Sequence, residues 1–546
     1  MTPSERSERA IDTGTKGRLF GKNVLDGVFR AAPDEDLFLG ELLVAVDEQT
    51  GRRYLFRVVD VSYGSEHREP GWAERVAGTM LADDARGEGG AHPLHEQGRR
   101  TYRVADCRCL GYLTPPDAAG RQEFRKPKSL PTQFSRVLAP EATDFEFLRT
   151  KMGDLPVGHL RSGETVVDFE VGIPGRSLAM HVGIFATTGM GKSNLMKVIA
   201  GGVLQAGGRY GLLLVDPHGE YRTELPRHPW AAGERLKTYA ARPLPNTTTL
   251  RISLAELTVD DLRTAYDWSR PQEEALFELE RHYATGTSRN DGLSDGLQWL
   301  LAFAQLDQLP EFRDLELNGR VALNTLQVVH RRARRIVDLQ CVSADANVSV
   351  GGAVLRDLEQ GRVVLVDVSG LGSTEEVLVA SFLARKVLER WSGAYLDDPE
   401  RHEQLPVVAV VLEEAQRVLS KSSDRESNVF PRIAREGRKF KVGLCAITQQ
   451  PKLLDDELLS QFNTFFVLGL ADEKDRNILR GSSKQDLSAS AGEIQTLMPG
   501  ECLIANLEAP FALPARVSLW DDVVRTVDPP PAPRAIAPPN VSALVD

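Results

Sequence analysis

Cysteine is scarce, with five in 546 residues. So few thiols build no disulfide framework and fit a reducing compartment, the cytoplasm. No apolar run approaches the roughly 20 residues that span a bilayer. The polar opening MTPSERSERA has no signal-peptide pattern. The expectation is a cytoplasmic protein with no membrane association. Positive charge is not in excess, and the formal net charge is −11. A nucleic-acid contact would therefore have to be local rather than global. No internal repeat and no base-reading motif stand out, which argues against recognition of a DNA sequence. Metal ligands at zinc spacing are also missing. His92, His95, Cys107 and Cys109 match no standard pattern, and Cys-x-Cys on a strand reads as packing.

What is present is a globular composition, 42% hydrophobic and 26% charged, on a chain too long for one core. Residues 1–18 read as a loose polar tail. Residues 19–155 read as short strands with turns, the pattern of a small antiparallel barrel. Within it, 83–92 (DDARGEGGAH) reads as a surface loop. Residues 156–256 and 348–525 alternate apolar strands with helices, which predicts a parallel α/β sheet. Between them, 257–347 reads as a helical insertion. Ala275, Leu276, Leu279 and Tyr283 share one face there, and Leu297, Leu300 and Leu301 another, with Trp299 at its edge. The basic run Arg331, Arg332, Arg334 and Arg335 reads as a solvated helix face. Residues 526–546 form a Pro-rich tail.

The most informative stretch is GIFATTGMGKSNLMK, from Gly183 to Lys197. A short apolar run leads into A-T-T-G-M-G-K-S and then a helical pattern, the setting of a phosphate-binding loop. Thr187, Thr188, Gly189, Met190, Gly191, Lys192, Ser193 and Asn194 are the expected nucleotide-binding positions. Gly189 and Gly191 allow the turn that points N–H groups at phosphate oxygens. Lys192 reaches the β- and γ-phosphates, and the Ser193 hydroxyl suits Mg²⁺. The helix adds the positive end of its dipole. ATP and Mg²⁺ are the expected cofactors.

A second signal is VVAVVLEE, an apolar strand ending in two acids. After a phosphate loop this reads as a Walker B strand. Glu413 would serve the Mg²⁺, and Glu414 would polarise the attacking water. Gln449, at the tip of the next strand, is placed to sense the γ-phosphate. Asp216 ends the strand that follows the phosphate-loop helix, and either a catalytic or a turn-capping role fits it. Arg435 and Arg438 share a face if they end a helix. An arginine near a γ-phosphate stabilises transition-state charge, in its own subunit or a neighbour's.

Six stretches in this order resemble the HerA-type ATPases of the HerA/FtsK superfamily: HVGIFATTGMGKSNLM, LLLVDPHGEY, VVLVDVSGL, VVLEEAQRVL, IAREGRKFKVGL and ITQQP. The strand-rich segment before the phosphate loop resembles that family's N-terminal barrel. The resemblance covers roughly residues 20 to 520. It implies a RecA-like P-loop ATPase core with a small N-terminal β-barrel and a helical insertion. It further implies a homohexameric ring that uses ATP to move double-stranded DNA, in repair or in antiviral defence. A nuclease of the NurA type, or another effector, would dock on the barrel. Lys192, Ser193, Glu413 and Glu414 would then carry hydrolysis, Gln449 would sense the γ-phosphate, and Arg438, in preference to Arg435, would act on a neighbour's ATP. Two positions depart from the family pattern: Ala186 replaces the usual Gly, and Gln450 stands where Arg is common.

A translocase needs a basic channel lining, for which Lys421, Arg425, Lys439 and Lys441 are the candidates. A second reading, an ATP-gated scaffold that assembles and regulates an effector, shares every ATPase residue. A third, a secretion or conjugation ATPase, is disfavoured by the missing membrane span.

Overall fold

The computed structural model describes residues 14–32, 35–65, 71–86, 101–118, 120–232, 234–285, 296–306, 317, 319–421 and 427–530. The N-terminal part folds into strands β1 (Thr15–Lys22), β2 (Asp26–Ala31), β3 (Leu42–Asp47), β4 (Arg52–Ser65), β5 (Thr101–Leu113), β6 (Phe124–Arg125) and β7 (Arg136–Leu138). Their order is β2-β1-β7-β3-β4-β5-β6, and a β2–β5 pairing closes six of them into a barrel. Closure removes the unpaired strand edges that an open sheet would expose. Leu19, Phe29, Leu43, Tyr54, Phe56, Cys107 and Cys109 fill the interior. The two cysteines are thus core residues, and His92 and His95 lie outside the described residues.

Two sequence expectations for this part need correction. The chain is already strand at Thr15, where a loose tail to residue 18 was expected. Asp83 to Ala85 end a helix, α1 (Trp72–Ala85), rather than opening a loop, and 87–92 lie outside the described residues. No described side chain of α1 is buried. Its apolar positions Trp72, Val76 and Met80 fall on one face but are only partly buried, so the stripe is narrow and weakly packed.

The rest is built on one sheet with strands β8 (Leu155–Ser162), β9 (Thr165–Ile173), β10 (Val182–Phe185), β11 (Tyr210–Asp216), β12 (Leu236–Ala240), β13 (Thr248–Thr249), β16 (Val363–Asp367), β17 (Val407–Leu412), β18 (Val442–Thr448), β19 (Thr464–Val467), β20 (Glu501–Asn506) and β21 (Leu513–Val517). A small separate pair joins β14 (Ile252–Ser253) to β15 (Val342–Ser343). The large sheet runs β13-β12-β16-β11-β17-β18-β10-β19-β20-β21-β8-β9. From β13 to β19 every neighbour is parallel, and from β19 to β9 every neighbour is antiparallel. Residues of β10, β16, β18 and β19 are buried throughout. Such continuous apolar runs are what a sheet covered on both faces requires. The insertion contributes α3 (Val259–Ala265), α4 (Arg270–Thr285), α5 (Trp299–Ala304) and a helix over Leu323–Val337. Tyr283 stacks on Trp299 there, at 5.9 Å between ring centroids. Arg332 donates to the Asp267 carbonyl at 2.7 Å and lies 4.6 Å over the Trp268 ring, so this member of the basic run packs against its own domain.

Barrel and core are joined by buried charge. Arg57 of β4 and Arg161 of β8 both meet Glu493, and all three side chains are at most 4% exposed. A buried pair that loses one partner leaves an uncompensated charge, so the joint resists opening.

His181 sits just before β10 with a left-handed backbone, φ 63°. Its Nδ1 accepts the Leu444 N–H at 3.0 Å, and the ring also hydrogen-bonds the backbone of Ala434. It therefore ties the strand leading to the phosphate loop to β18 and to the helix Val429–Glu436. Burial pushes its pKa down from 6.5 to about 4. The folded protein keeps the ring neutral while the unfolded chain protonates it below about pH 6.5, so stability falls as pH drops from 6.5 towards 4. His181→Asn, which keeps an acceptor and has no group that titrates there, should show a shallower loss of melting temperature over that interval. An identical pH dependence in both proteins would contradict this role.

Candidate functional site

Backbone geometry prepares the phosphate loop. Gly189 has φ +83° and Gly191 φ +100°, conformations in which a side chain is strained. Gly191 is the residue preceding helix α2 (Lys192–Gln205), so the loop opens directly onto a helix N-terminus. Ala186 is fully buried and keeps an ordinary negative φ. Its methyl packs in the core, which is why alanine serves where the family pattern has glycine.

Parallel register brings the functional ends together. Phe185 pairs with Thr448, and Leu412 pairs with Ala446. The phosphate loop, the two acids and Gln449 therefore leave the sheet at one edge, with β18 between the other two strands. Open α/β sheets place ligands at this edge. A cleft of about 330 Å³ opens there, lined by Thr188, Gly189, Lys192, Ser193, Asp216, Glu413, Glu414 and Gln449, among others.

Several expected binding residues play other parts. Thr187 donates through its backbone N–H and its hydroxyl to the Gly469 carbonyl, at 3.1 and 3.0 Å, and braces the loop from behind. Met190 packs against Gly469 and does not line the cleft. Asn194 reaches the cleft wall, but its amide donates to the Ser518 carbonyl and accepts the Trp520 N–H, both at 2.9 Å. It pins the C-terminal segment to α2.

Asp216 is a turn anchor in this structure. Its carboxylate accepts the backbone N–H groups of His218, Gly219, Glu220 and Tyr221 at 2.7 to 3.2 Å. The loop it holds delivers groups that sequence reasoning missed. Glu220 and Tyr221 both line the cleft, and the Tyr221 hydroxyl donates to Glu413. The signal available was the short polar run after an apolar strand, in which only Asp216 was singled out.

Glu414 adopts a left-handed backbone, φ 50° and ψ 48°. Its carboxylate accepts from Gln416 Nε2 at 2.5 Å and from Gln449 Nε2 at 3.3 Å. The Thr188 hydroxyl in turn donates to Gln449 Oε1 at 2.6 Å.

Burial raises the pKa of Glu413 and of Asp216, and it lowers that of Lys192 against the pull of Glu413, Glu414 and Glu220. Three carboxylates, Glu220, Glu413 and Glu414, thus act on one lysine. For a site shaped to take phosphates, this surplus of oxygen donors fits a hard divalent cation such as Mg²⁺. Ser193 and Glu413 are the donors beside the loop. Among the described residues, the cleft included, no group of three or more His, Cys, Asp or Glu side chains is placed to hold a metal ion by itself, so a cation here would need the hydroxyl of Ser193 and oxygens of the nucleotide as well.

The two arginines are not in this cleft. The helix Val429–Glu436 and the turn Gly437–Phe440 precede β18, so Arg438 sits at the start of that strand, opposite the nucleotide edge. Seven strand residues separate the two edges, roughly 23 Å. Arg438 therefore cannot reach the cleft of its own chain. Arg435 lies 3.6 Å from Glu457. The channel candidates also change. Lys441 Nζ donates to the carbonyls of His402, Glu403 and Leu405, and Lys421 pairs with Asp456 at 2.7 Å. Lys439 stays exposed, and Arg425 lies outside the described residues.

Residues 155–387 match the family model described as the central domain of helicase HerA. The chain is 26% identical over 401 residues to the DNA double-strand break repair helicase HerA of Saccharolobus solfataricus, across 72% of this chain and 75% of that one. It is 26% identical over 388 residues to the Pyrococcus furiosus protein of the same name, across 63% of this chain and 66% of that one. Among solved structures, the plasmid coupling protein TrwB in complex with ADP and Mg²⁺ superposes with a TM-score of 0.46 at 16% identity. That match covers 64% of this chain and 88% of that chain. No described helix is long and apolar enough to cross a membrane.

The Asp216 turn yields a stability prediction. Asp216→Ala strips four N–H groups of their acceptor and should cost about 2–3 kcal/mol in denaturant unfolding, while Glu220→Ala should stay within about 0.5 kcal/mol. Equal effects of the two substitutions would contradict the anchoring role.

Proposed function

We propose, starting from a HerA-type P-loop ATPase, that this chain couples ATP hydrolysis to movement along double-stranded DNA. One observation carries the chemistry. Lys192, Ser193, Glu413, Glu414 and Gln449 line or adjoin one cleft because β18 lies between β10 and β17. In this reading the turn at Gly189 and Gly191 presents backbone N–H groups to the phosphates, and Lys192 adds a partly desolvated positive charge. Ser193 and Glu413 would hold Mg²⁺, which would supply neutralisation of the charge on the phosphates. Glu414 orients and polarises the attacking water. Gln449, held between Thr188 and Glu414, senses whether a γ-phosphate is present.

The position of Arg438 on the far edge of the sheet supports a role in trans, on ATP held by the next subunit of a homohexameric ring. The HerA relatives carry double-strand break repair in their names, which supports DNA as the track and repair as the setting. Grip on the duplex would rest on phosphates and be independent of base sequence. The barrel, closed and set apart from the nucleotide edge, is the proposed dock for a nuclease of the NurA type or another effector, in repair or antiviral defence.

Lys192→Ala should abolish ATP turnover, and Glu414→Gln should retain bound ATP while lowering kcat by at least about 10²-fold. Brisk turnover by Glu414→Gln would remove it from its role. Displacement of a protein block from the end of a linear duplex should require hydrolysable ATP and fail with Glu414→Gln. A block displaced equally well by that variant would refute coupling to movement.

Arg438→Ala should keep nucleotide binding and lose on the order of 10³-fold in turnover. Mixing it with Lys192→Ala subunits should restore part of the activity, since each supplies what its neighbour lacks. A mixture no more active than its components would exclude the trans role.

A further inference from the structure

The carboxylate of Glu414 is held by two arms of the same construction. In each, a threonine hydroxyl donates to the carbonyl of a glutamine amide, whose NH₂ donates to one carboxylate oxygen. The first arm runs from Thr188 through Gln449 to Oε1, at 2.6 and 3.3 Å. The second runs from Thr448 through Gln416 to Oε2, at 2.6 and 2.5 Å. An ionised carboxylate only accepts, so each amide must turn its NH₂ towards Glu414 and its carbonyl towards the hydroxyl. The two threonines differ in setting. Thr188 is exposed on the phosphate loop, where a nucleotide meets it. Thr448 ends β18 and is 1% exposed, out of reach of any ligand.

We propose that Gln416 is a positioning residue that fixes Glu414 from the sensor-strand side, leaving the Gln449 arm as the one that responds to nucleotide. Glu414 needs such support because its backbone occupies a left-handed conformation that favours glycine. Gln416 lies two residues on, in the 3₁₀ turn Ala415–Arg417. Its amide has one partner fixed in the sheet, and this fixes where the carboxylate of Glu414 stands. Loss of the Gln416 arm leaves that carboxylate on the longer bond from Gln449 alone. The nucleotide-binding groups, Lys192 and Ser193, touch neither Gln416 nor Thr448. The substitution should therefore act on the rate and not on affinity.

This proposal rests on the reading of Glu414 as the residue that polarises water, and the test keeps the two apart. Steady-state ATP hydrolysis and binding of a fluorescent ATP analogue are measured on the full chain for Gln416→Met, Thr448→Val and Thr448→Ser, beside Glu414→Gln. Gln416→Met should lower kcat by about 10- to 100-fold, with nucleotide affinity changed by no more than about twofold. Thr448→Val, equal in shape and lacking the hydroxyl, should lower kcat by about 3- to 10-fold. Thr448→Ser should recover most of that loss. Gln416→Met turning over at the wild-type rate, or losing affinity as steeply as rate, overturns the proposal. If Gln416→Met does not fold, the two Thr448 variants decide, and equal rates for valine and serine overturn it. Brisk hydrolysis by Glu414→Gln would instead remove the reading on which the proposal stands.

Discussion

Parallel register between three neighbouring strands is the constraint on which the site depends. With Phe185 opposite Thr448 and Leu412 opposite Ala446, the phosphate loop, the acids and Gln449 leave the sheet at the same level. Slipping β18 by one residue would turn its side chains to the other face and carry Thr448 and Gln449 away from Gln416 and Glu414. Burial on both faces enforces the register, because β10 and β18 have no exposed residue that could pay for a slip. His181 adds a lock at the opposite end of the strands, through Leu444 and Ala434.

The chemistry follows from what that register crowds together. Burial works against the charge of Lys192 and of Glu413 and Asp216 alike, so each is strengthened as a partner for an opposite charge brought close to it. Glutamines, which are neutral and both donate and accept, fill the gaps between them. They connect Glu414 to the phosphate loop on one side and to the sheet on the other. A nucleotide that claims Thr188 therefore acts on one of two supports of Glu414, a local change with direct reach into the reaction.

Much of this was legible in the sequence, for reasons tied to particular elements. The apolar runs at Tyr210, Arg362, Val407, Val442 and Thr464 are strands because a doubly covered sheet admits little else. The phosphate loop is legible because its glycines are needed at positive φ. The outer strands β8, β9, β20 and β21 were missed; β8 and β9 mix buried and exposed residues, and the pairing of β21 with β8 that joins the two hairpins spans some of the longest sequence distances in the sheet. Helix α1 has only a narrow, partly buried apolar face to signal it. Asp216 was ambiguous because a carboxylate after a strand suits both catalysis and a turn, and only its four N–H partners decide for the turn. Lys441 looked free in sequence and is consumed by three carbonyls. Gln416 carried no mark at all, since its meaning lies in Thr448, 32 residues away.

The central claim is that the cleft powers a grip on duplex DNA. ATP hydrolysis by the purified protein, with and without linear double-stranded DNA at low and at high salt, tests it most directly. The account predicts turnover that rises with duplex at low salt and loses this stimulation at high salt, as phosphate contacts are screened. Turnover indifferent to DNA under both conditions would contradict it and favour a scaffold whose ATP gates a partner.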